Sequence, residues 1–275
     1  MEATIPSDKL GLVLKIGLYV FLAYMGLAVF YTLLAPTGLL IAGAIGTFLA
    51  ASIANAIVVR IFERGRLVMV GLGWDHRSRR NMTFGLCAGI LAAALHLAPA
   101  LLLSVASIEP DREYPANLTS LVFVTCILVF GAFGEELLFR GYAFQTLVRA
   151  AGPFAALLPI SVLFAAAHAS NQNASALGLI NTFGFGVVLG YAYLRSRDLW
   201  LPIALHFGWN WALVIFGLNV SGFRMGVTGY TVRWHVSDLW SGGAYGPEAS
   251  LLTCGIIVTL LWVLHRAPLG PPEPA

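Results

Sequence analysis

Apolar residues run along this 275-residue chain in long blocks, and the polar residues gather in short breaks between them. An apolar run of about 18 or more residues is long enough to cross a hydrocarbon core of about 30 Å as an α-helix. Reading between the polar breaks gives about eight such spans, roughly 10–34, 39–60, 82–106, 118–148, 153–169, 175–194, 199–217 and 250–265. The breaks carry turn and boundary residues: Pro36 with Gly38, the polar stretch 110–117, Gly152 before Pro153, and the charged turn 195–198. The expected fold class is all-α, a polytopic integral membrane protein of about eight transmembrane helices. The first block is too long for the core of a cleaved leader and runs directly into a second one, so it is expected to remain as a spanning helix.

Composition sharpens this picture. Charged residues make up 11% of the chain and hydrophobic ones 59%, against about 25% charged in an ordinary soluble domain. The net charge is +3, and the basic residues sort by membrane side rather than clustering as a nucleic-acid site requires. With the N-terminus inside, Lys9, Arg60, Arg64, Arg66, Arg77, Arg79, Arg80, Arg149, Arg195, Arg197 and Arg266 fall on the inner side. Arg112, Arg224 and Arg233 fall outside. The positive-inside rule then places both termini in the cytoplasm of a plasma or inner membrane, and the short loops suggest a bacterial one. The bilayer is the expected partner and nucleic acid is not. Cys87, Cys126 and Cys254 lie in apolar segments at no motif spacing, so no disulfide framework or cysteine metal cluster is expected.

Three segments organise the chain: N-terminal helices over 1–117, a core over 118–217, and an exterior loop, last helix and tail over 218–275. The loop 218–249 is rich in glycine and aromatics, including Tyr230, Trp234, Trp240 and Tyr245, and reads as an interfacial aromatic belt. The proline-rich tail 267–275 is expected to be disordered.

A charged side chain at the bilayer centre costs at least about 2.5 to 3.5 kcal/mol, so intramembrane charges are functional candidates by default. Here they concentrate in the fourth span, where Glu135, Glu136 and Arg140 interrupt an otherwise apolar helix. Glu136 and Arg140 are four residues apart with the acid first, the favourable order for an ion pair on one face. Adjacent helical residues point about 100° apart, which leaves Glu135 facing elsewhere without that cation, free for general acid/base work. Phe164 and His168 share a face at i, i+4 in the fifth span, as do His206 and Asn210 in the seventh. Counted at about 1.5 Å per residue from the inner ends, Glu135 lies about 21 Å deep, His168 about 22 Å, His206 about 10 Å and Asn210 about 16 Å. With helix tilts of about 20° these heights overlap, and the four groups can meet in one cavity. Asn55 and His96 stand alone in their spans and are expected to make interhelical hydrogen bonds, and Gly186 with Gly190 to let two helices approach closely.

Glu135-Glu136 with Arg140 forms E-E-x-x-x-R, Phe164 with His168 forms F-x-x-x-H, and His206 with Asn210 forms H-x-x-x-N, on successive helices. Over roughly 118–217 this resembles the CAAX-processing and bacteriocin-processing family of intramembrane proteases, the Rce1-type prenyl-protein endopeptidases and Abi proteins among them. The spans before it read as padding around that core. The resemblance implies a conical, water-accessible cavity in the membrane where a peptide bond of a membrane-associated peptide or protein is hydrolysed. It implies that Glu135 and His168 activate the water, that His206 and Asn210 stabilise the oxyanion, and that Glu136, Arg140 and Phe164 support them. The family is often labelled metalloprotease, and zinc is one alternative, with His168, His206 and Glu135 as its ligands. The residues do not form the H-E-x-x-H helix of soluble zinc peptidases, which favours the metal-free reading. Intramembrane carboxylates and histidines also build proton relays and transporters, and a family member can act as an idle scaffold or immunity factor. The substrate, a prenylated C-terminal peptide or a bacterial leader or membrane peptide, is not legible.

Overall fold

The computed structural model describes residues 9–269. Its helices are α1 (Lys9–Leu34), α2 (Leu39–Phe62), α3 (His76–Leu102), α4 (Leu118–Arg140), α5 (Tyr142–Ala151), α6 (Pro153–Ala167), α7 (Ala176–Ser196), α8 (Trp200–Ile215), the single turn α9 (Asp238–Ser241) and α10 (Leu251–Arg266). The chain is an all-α integral membrane protein. Five stretches, Lys9–Thr37, Leu39–Phe62, His76–Leu102, Leu118–Ala151 and Ala176–Ser196, are long and apolar enough to cross a bilayer. The other three expected spans are shorter apolar helices: α6, α8 and α10, of 15, 16 and 16 residues. At 1.5 Å per residue these reach only about 22 to 24 Å, short of the hydrocarbon thickness.

The segment between α8 and α10 packs back on the α3–α4 connection. Strand β1 (Ala106–Pro110), after α3, pairs antiparallel with β2 (Tyr230–Trp234), from Ala106 opposite Trp234 to Pro110 opposite Tyr230. Arg224 ties the segment to the α3–α4 connection, with Nη2 2.7 Å from Asp111 and Nη1 2.9 Å from Glu113. The belt reading holds for half of the aromatics. Tyr230 and Trp240 are exposed, whereas Tyr245 is buried and Trp234 is packed edge-on to His96.

Helices in lipid gain little from apolar burial against one another, so close backbone approach matters more. A Cβ on Gly89 would lie 2.6 Å from the Trp209 amide nitrogen, and one on Gly208 2.7 Å from the Leu86 carbonyl, which locks α3 to α8 backbone to backbone. Gly134 does the same for α4 against α2, where a Cβ would stand 2.6 Å from the Phe48 nitrogen. Gly186 packs α7 against Ser161 of α6, and Gly190 packs against Leu157, as the sequence spacing predicts.

Two departures from the sequence reading have local causes. The expected continuous span 118–148 breaks at Gly141, where the Asn55 side chain inserts: its Oδ1 accepts the Tyr142 N–H at 2.7 Å, and its Nδ2 donates to the Leu137 carbonyl at 3.0 Å. Asn55 thus makes its expected interhelical bonds. His96 does not; it is fully buried with neither ring nitrogen hydrogen-bonded. The tail is fixed at its start, since the Ala267 carbonyl accepts from Arg195 and the Pro268 carbonyl from Arg80, each at 3.0 Å. The rest of that expectation, 270–275, lies outside the described residues.

Asn55→Ala orphans the Tyr142 N–H in a buried site, while the Leu137 carbonyl keeps the Tyr19 hydroxyl and the Gly141 amide. A loss of about 1 to 3 kcal/mol is expected, read as a lower denaturation midpoint in detergent. A midpoint equal to wild type would show that the α4–α5 break does not depend on Asn55.

Candidate active site

Helices α4, α6 and α8 present the polar residues to one another. The 100° step between Glu135 and Glu136 sends the two carboxylates in different directions, and each meets a different set of partners. Glu136 is fully buried, and its Oε1 accepts from Arg140 Nη1 at 3.1 Å and from His206 Nδ1 at 2.9 Å. The Arg140 guanidinium, also fully buried, donates through Nη2 to the Gly186 carbonyl at 2.9 Å and lies 4.6 Å from the Phe164 ring centroid. The ion pair read from the i, i+4 spacing is present, and Glu136 does more than balance Arg140, because it also orients the His206 ring.

Phe164 is the apolar centre of this arrangement. Its ring packs edge-on to Phe139 at 5.2 Å, tilted on His168 at 4.7 Å and edge-on to His206 at 6.1 Å. It therefore touches both imidazoles and the cation, a role wider than the i, i+4 pairing with His168.

Glu135 turns away from the Glu136–Arg140 pair and faces the two imidazoles: its Oε2 lies 3.8 Å from His168 Nε2 and 3.9 Å from His206 Nε2. Those separations are too long for direct hydrogen bonds and suit a bridging water. The partners at the far side of each ring assign the tautomers. His168 Nδ1 lies 2.8 Å from the Phe164 carbonyl, and His206 Nδ1 lies against Glu136. A carbonyl or a carboxylate only accepts, so each Nδ1 carries a proton and each ring turns its Nε2 toward Glu135. The donor types suit zinc, yet among the described residues no group of three His, Cys, Asp or Glu is spaced to hold a metal ion.

Two cavities flank these residues. The larger, about 460 Å³, is lined by Glu135, His168, His206 and Asn210 together, so the structure gathers all four sequence candidates at one place. Its remaining wall includes Tyr31 of α1, Leu39, Gly43 and Thr47 of α2, and Gln172 and Ser221 of the outer connections. Helices α1 and α2 are thus part of the site and not padding. The smaller cavity, about 30 Å³, has room for about one water and lies behind the imidazoles. Its walls include His168, His206, Asn210, Trp209, Ser221 and Glu248.

The sequence reading missed Ser221 and Glu248. The Glu248 carboxylate is buried, accepts from the Ser221 amide, and accepts from the Ser221 hydroxyl at 3.0 Å. Burial pushes its carboxyl up from the ordinary value, and the two Ser221 bonds pull against that. A lone acid directly ahead of the last apolar span was the available signal.

Residues 117–212 match the family described as Type II CAAX prenyl endopeptidase Rce1-like. The match takes in every sequence candidate from Glu135 to Asn210 and stops short of Ser221 and Glu248. Among curated proteins, none matches the chain.

Arg140→Ala leaves Glu136 buried with half its compensation. Removing one partner of a buried pair costs about 3 to 5 kcal/mol, so yield and thermal midpoint in detergent should fall sharply. The double change E136Q with R140Q should recover part of that loss, because a neutral pair needs no counter-charge. An Arg140→Ala protein as stable as wild type would show that the clamp carries no load.

Proposed function

We propose, from the match of residues 117–212 to the family described as Type II CAAX prenyl endopeptidase Rce1-like, that the larger cavity hydrolyses a peptide bond by glutamate-activated water. The observation that carries this reading is the convergence of Glu135 Oε2 with the Nε2 atoms of His168 and His206 at 3.8 and 3.9 Å on the cavity wall. A water there donates to Glu135 and to the His168 lone pair, which aims its oxygen lone pair into the cavity. As that oxygen attacks the carbonyl carbon, Glu135 takes its proton. The developing oxyanion is met by the Asn210 amide N–H and by His206 in its protonated form, whose charge Glu136 balances through the Nδ1–H bond. Collapse breaks the C–N bond, and the proton on Glu135 passes to the leaving amine. His168, His206 and Glu135 are the residues a zinc ion would have to use; the metal-free route is preferred because Glu135 lies beside Glu136 and not between two histidines on one helix.

The cavity also has a direction. Tyr31, Leu39, Gly43, Gln172 and Ser221 lie at the same helix ends as the α1–α2, α6–α7 and α8–α10 connections. Arg60, Arg64, Arg66, Arg77, Arg149 and Arg195 lie at the opposite ends. With both termini cytoplasmic, the cavity opens away from the cytoplasm, which favours an exported leader or membrane peptide over a cytosolic prenylated tail.

Glu135→Gln keeps the shape of the side chain but cannot take the proton. It should lower cleavage by about 10² to 10⁴-fold with unchanged insertion and folding, measured on a quenched fluorogenic membrane peptide in proteoliposomes. Near-normal turnover would remove Glu135 as the base.

Prolonged chelation should leave wild-type cleavage intact, with zinc below one ion per chain by elemental analysis. One zinc per chain, with activity lost on stripping and regained on addition, would overturn the metal-free route and make His168, His206 and Glu135 ligands.

A further inference from the structure

The exterior segment sends one turn down to the reaction centre. Ser221 and Gly222 both have positive φ, 47° and 88°, and the turn is closed by Val220 N–H to the Phe223 carbonyl at 3.0 Å and Phe223 N–H to the Val220 carbonyl at 2.8 Å. Left-handed backbone is free for glycine but strained for a serine, and persists only where the surroundings hold it. Several bonds do so. The Ser221 amide and hydroxyl both donate to Glu248, the Ser221 carbonyl accepts from Asn171 Nδ2 at 3.1 Å, and the Gly222 amide donates to the Tyr245 carbonyl at 2.8 Å.

Glu248 is anchored in turn. Asn181 of α7 donates through Nδ2 to the carbonyls of Glu248 and Ser250, each at 2.8 Å. The turn cannot back away on its other side either, because a Cβ on Gly222 would collide with the Gln172 carbonyl. Ser221 lines both cavities, beside His168, His206 and Asn210, while Val220, Phe223 and Met225 line the larger one. The buried indole N–H of Trp209, which has no protein partner, is on the wall of the small cavity, where a water between it and the polar wall would complete the packing behind the imidazoles.

We propose that the Ser221–Gly222 turn is a substrate-positioning wall of the reaction centre, and that Glu248 is the positioning residue that holds it at the imidazoles. The turn meets the peptide segment on the side opposite Glu135 and sets the height of the scissile carbonyl against Asn210. This rests on the peptidase reading and adds a residue from outside the family-matched segment.

The test compares wild type, Glu248→Gln, Ser221→Val and, as a control on the same face, Glu109→Gln. A glutamine at 248 must turn its amide NH₂ or lose an acceptor where two Ser221 donors arrive, and a valine at 221 resists positive φ. With the fluorogenic peptide, both site variants should raise KM by about tenfold or more, keep kcat within about threefold, and speed amide hydrogen exchange over 218–223. Their thermal midpoints should stay near wild type, and Glu109→Gln should match wild type throughout. Unchanged KM in both site variants, or a kcat and midpoint that fall together with it, would overturn the positioning role. A wild type that cleaves no peptide would remove the peptidase reading itself, an outcome separate from an active wild type whose KM ignores Glu248.

Discussion

The Glu136 carboxylate, fully buried in a bilayer-spanning helix, is the constraint around which the rest is arranged. An ionised carboxylate removed from water costs several kcal/mol unless it is paired and hydrogen-bonded. One oxygen, Oε1, takes both the Arg140 and the His206 contacts, so neutralising the acid and aiming the His206 ring are a single act. Arg140 in turn must find acceptors and a polarisable surface, which the Gly186 carbonyl and the Phe164 face provide. Gly186 can offer its carbonyl there because its missing side chain lets α7 close on Ser161. The chain of necessity runs from one costly charge through α4, α6, α7 and α8.

A second constraint is length. Helices that span lipid satisfy their backbone internally, but α6, α8 and α10 stop short of the far interface, and irregular backbone at that depth is tolerated only where protein or water meets it. The exterior segment does so with the β1–β2 pair, the Arg224 ion pairs and the Glu248–Ser221 bonds. The large cavity lies between that segment, which contributes Val220, Ser221, Phe223 and Met225, and the facing ends of α1 and α2, which contribute Tyr31, Leu39 and Gly43.

Much of this was legible from spacing alone. Apolar block lengths located the long helices, because lipid imposes a length and a polarity, although the block 118–148 divides at Gly141 and the helix expected over 82–106 runs from His76 to Leu102. The i, i+4 pairs gave Glu136 with Arg140 and the shared faces of Phe164 with His168 and His206 with Asn210, because helical geometry is local. What failed was non-local. The break at Gly141 depends on Asn55 arriving from α2, and Glu248 meets Ser221 across a loop with no periodicity to read. His96 shows the converse, a polar residue whose spacing suggested a bond that its neighbours do not supply.

The two histidines differ in a way that no motif expresses. Both turn Nε2 toward Glu135, but His168 is backed by a neutral carbonyl and His206 by a carboxylate. A carbonyl fixes a tautomer and adds no charge behind His168. A carboxylate places a negative charge behind His206. Under the proposed water attack that asymmetry gives the rings different parts, His168 to hold the water and His206 to meet the charge that forms. The doublet Glu135-Glu136 creates the asymmetry by placing one acid between the rings and the other behind only one of them.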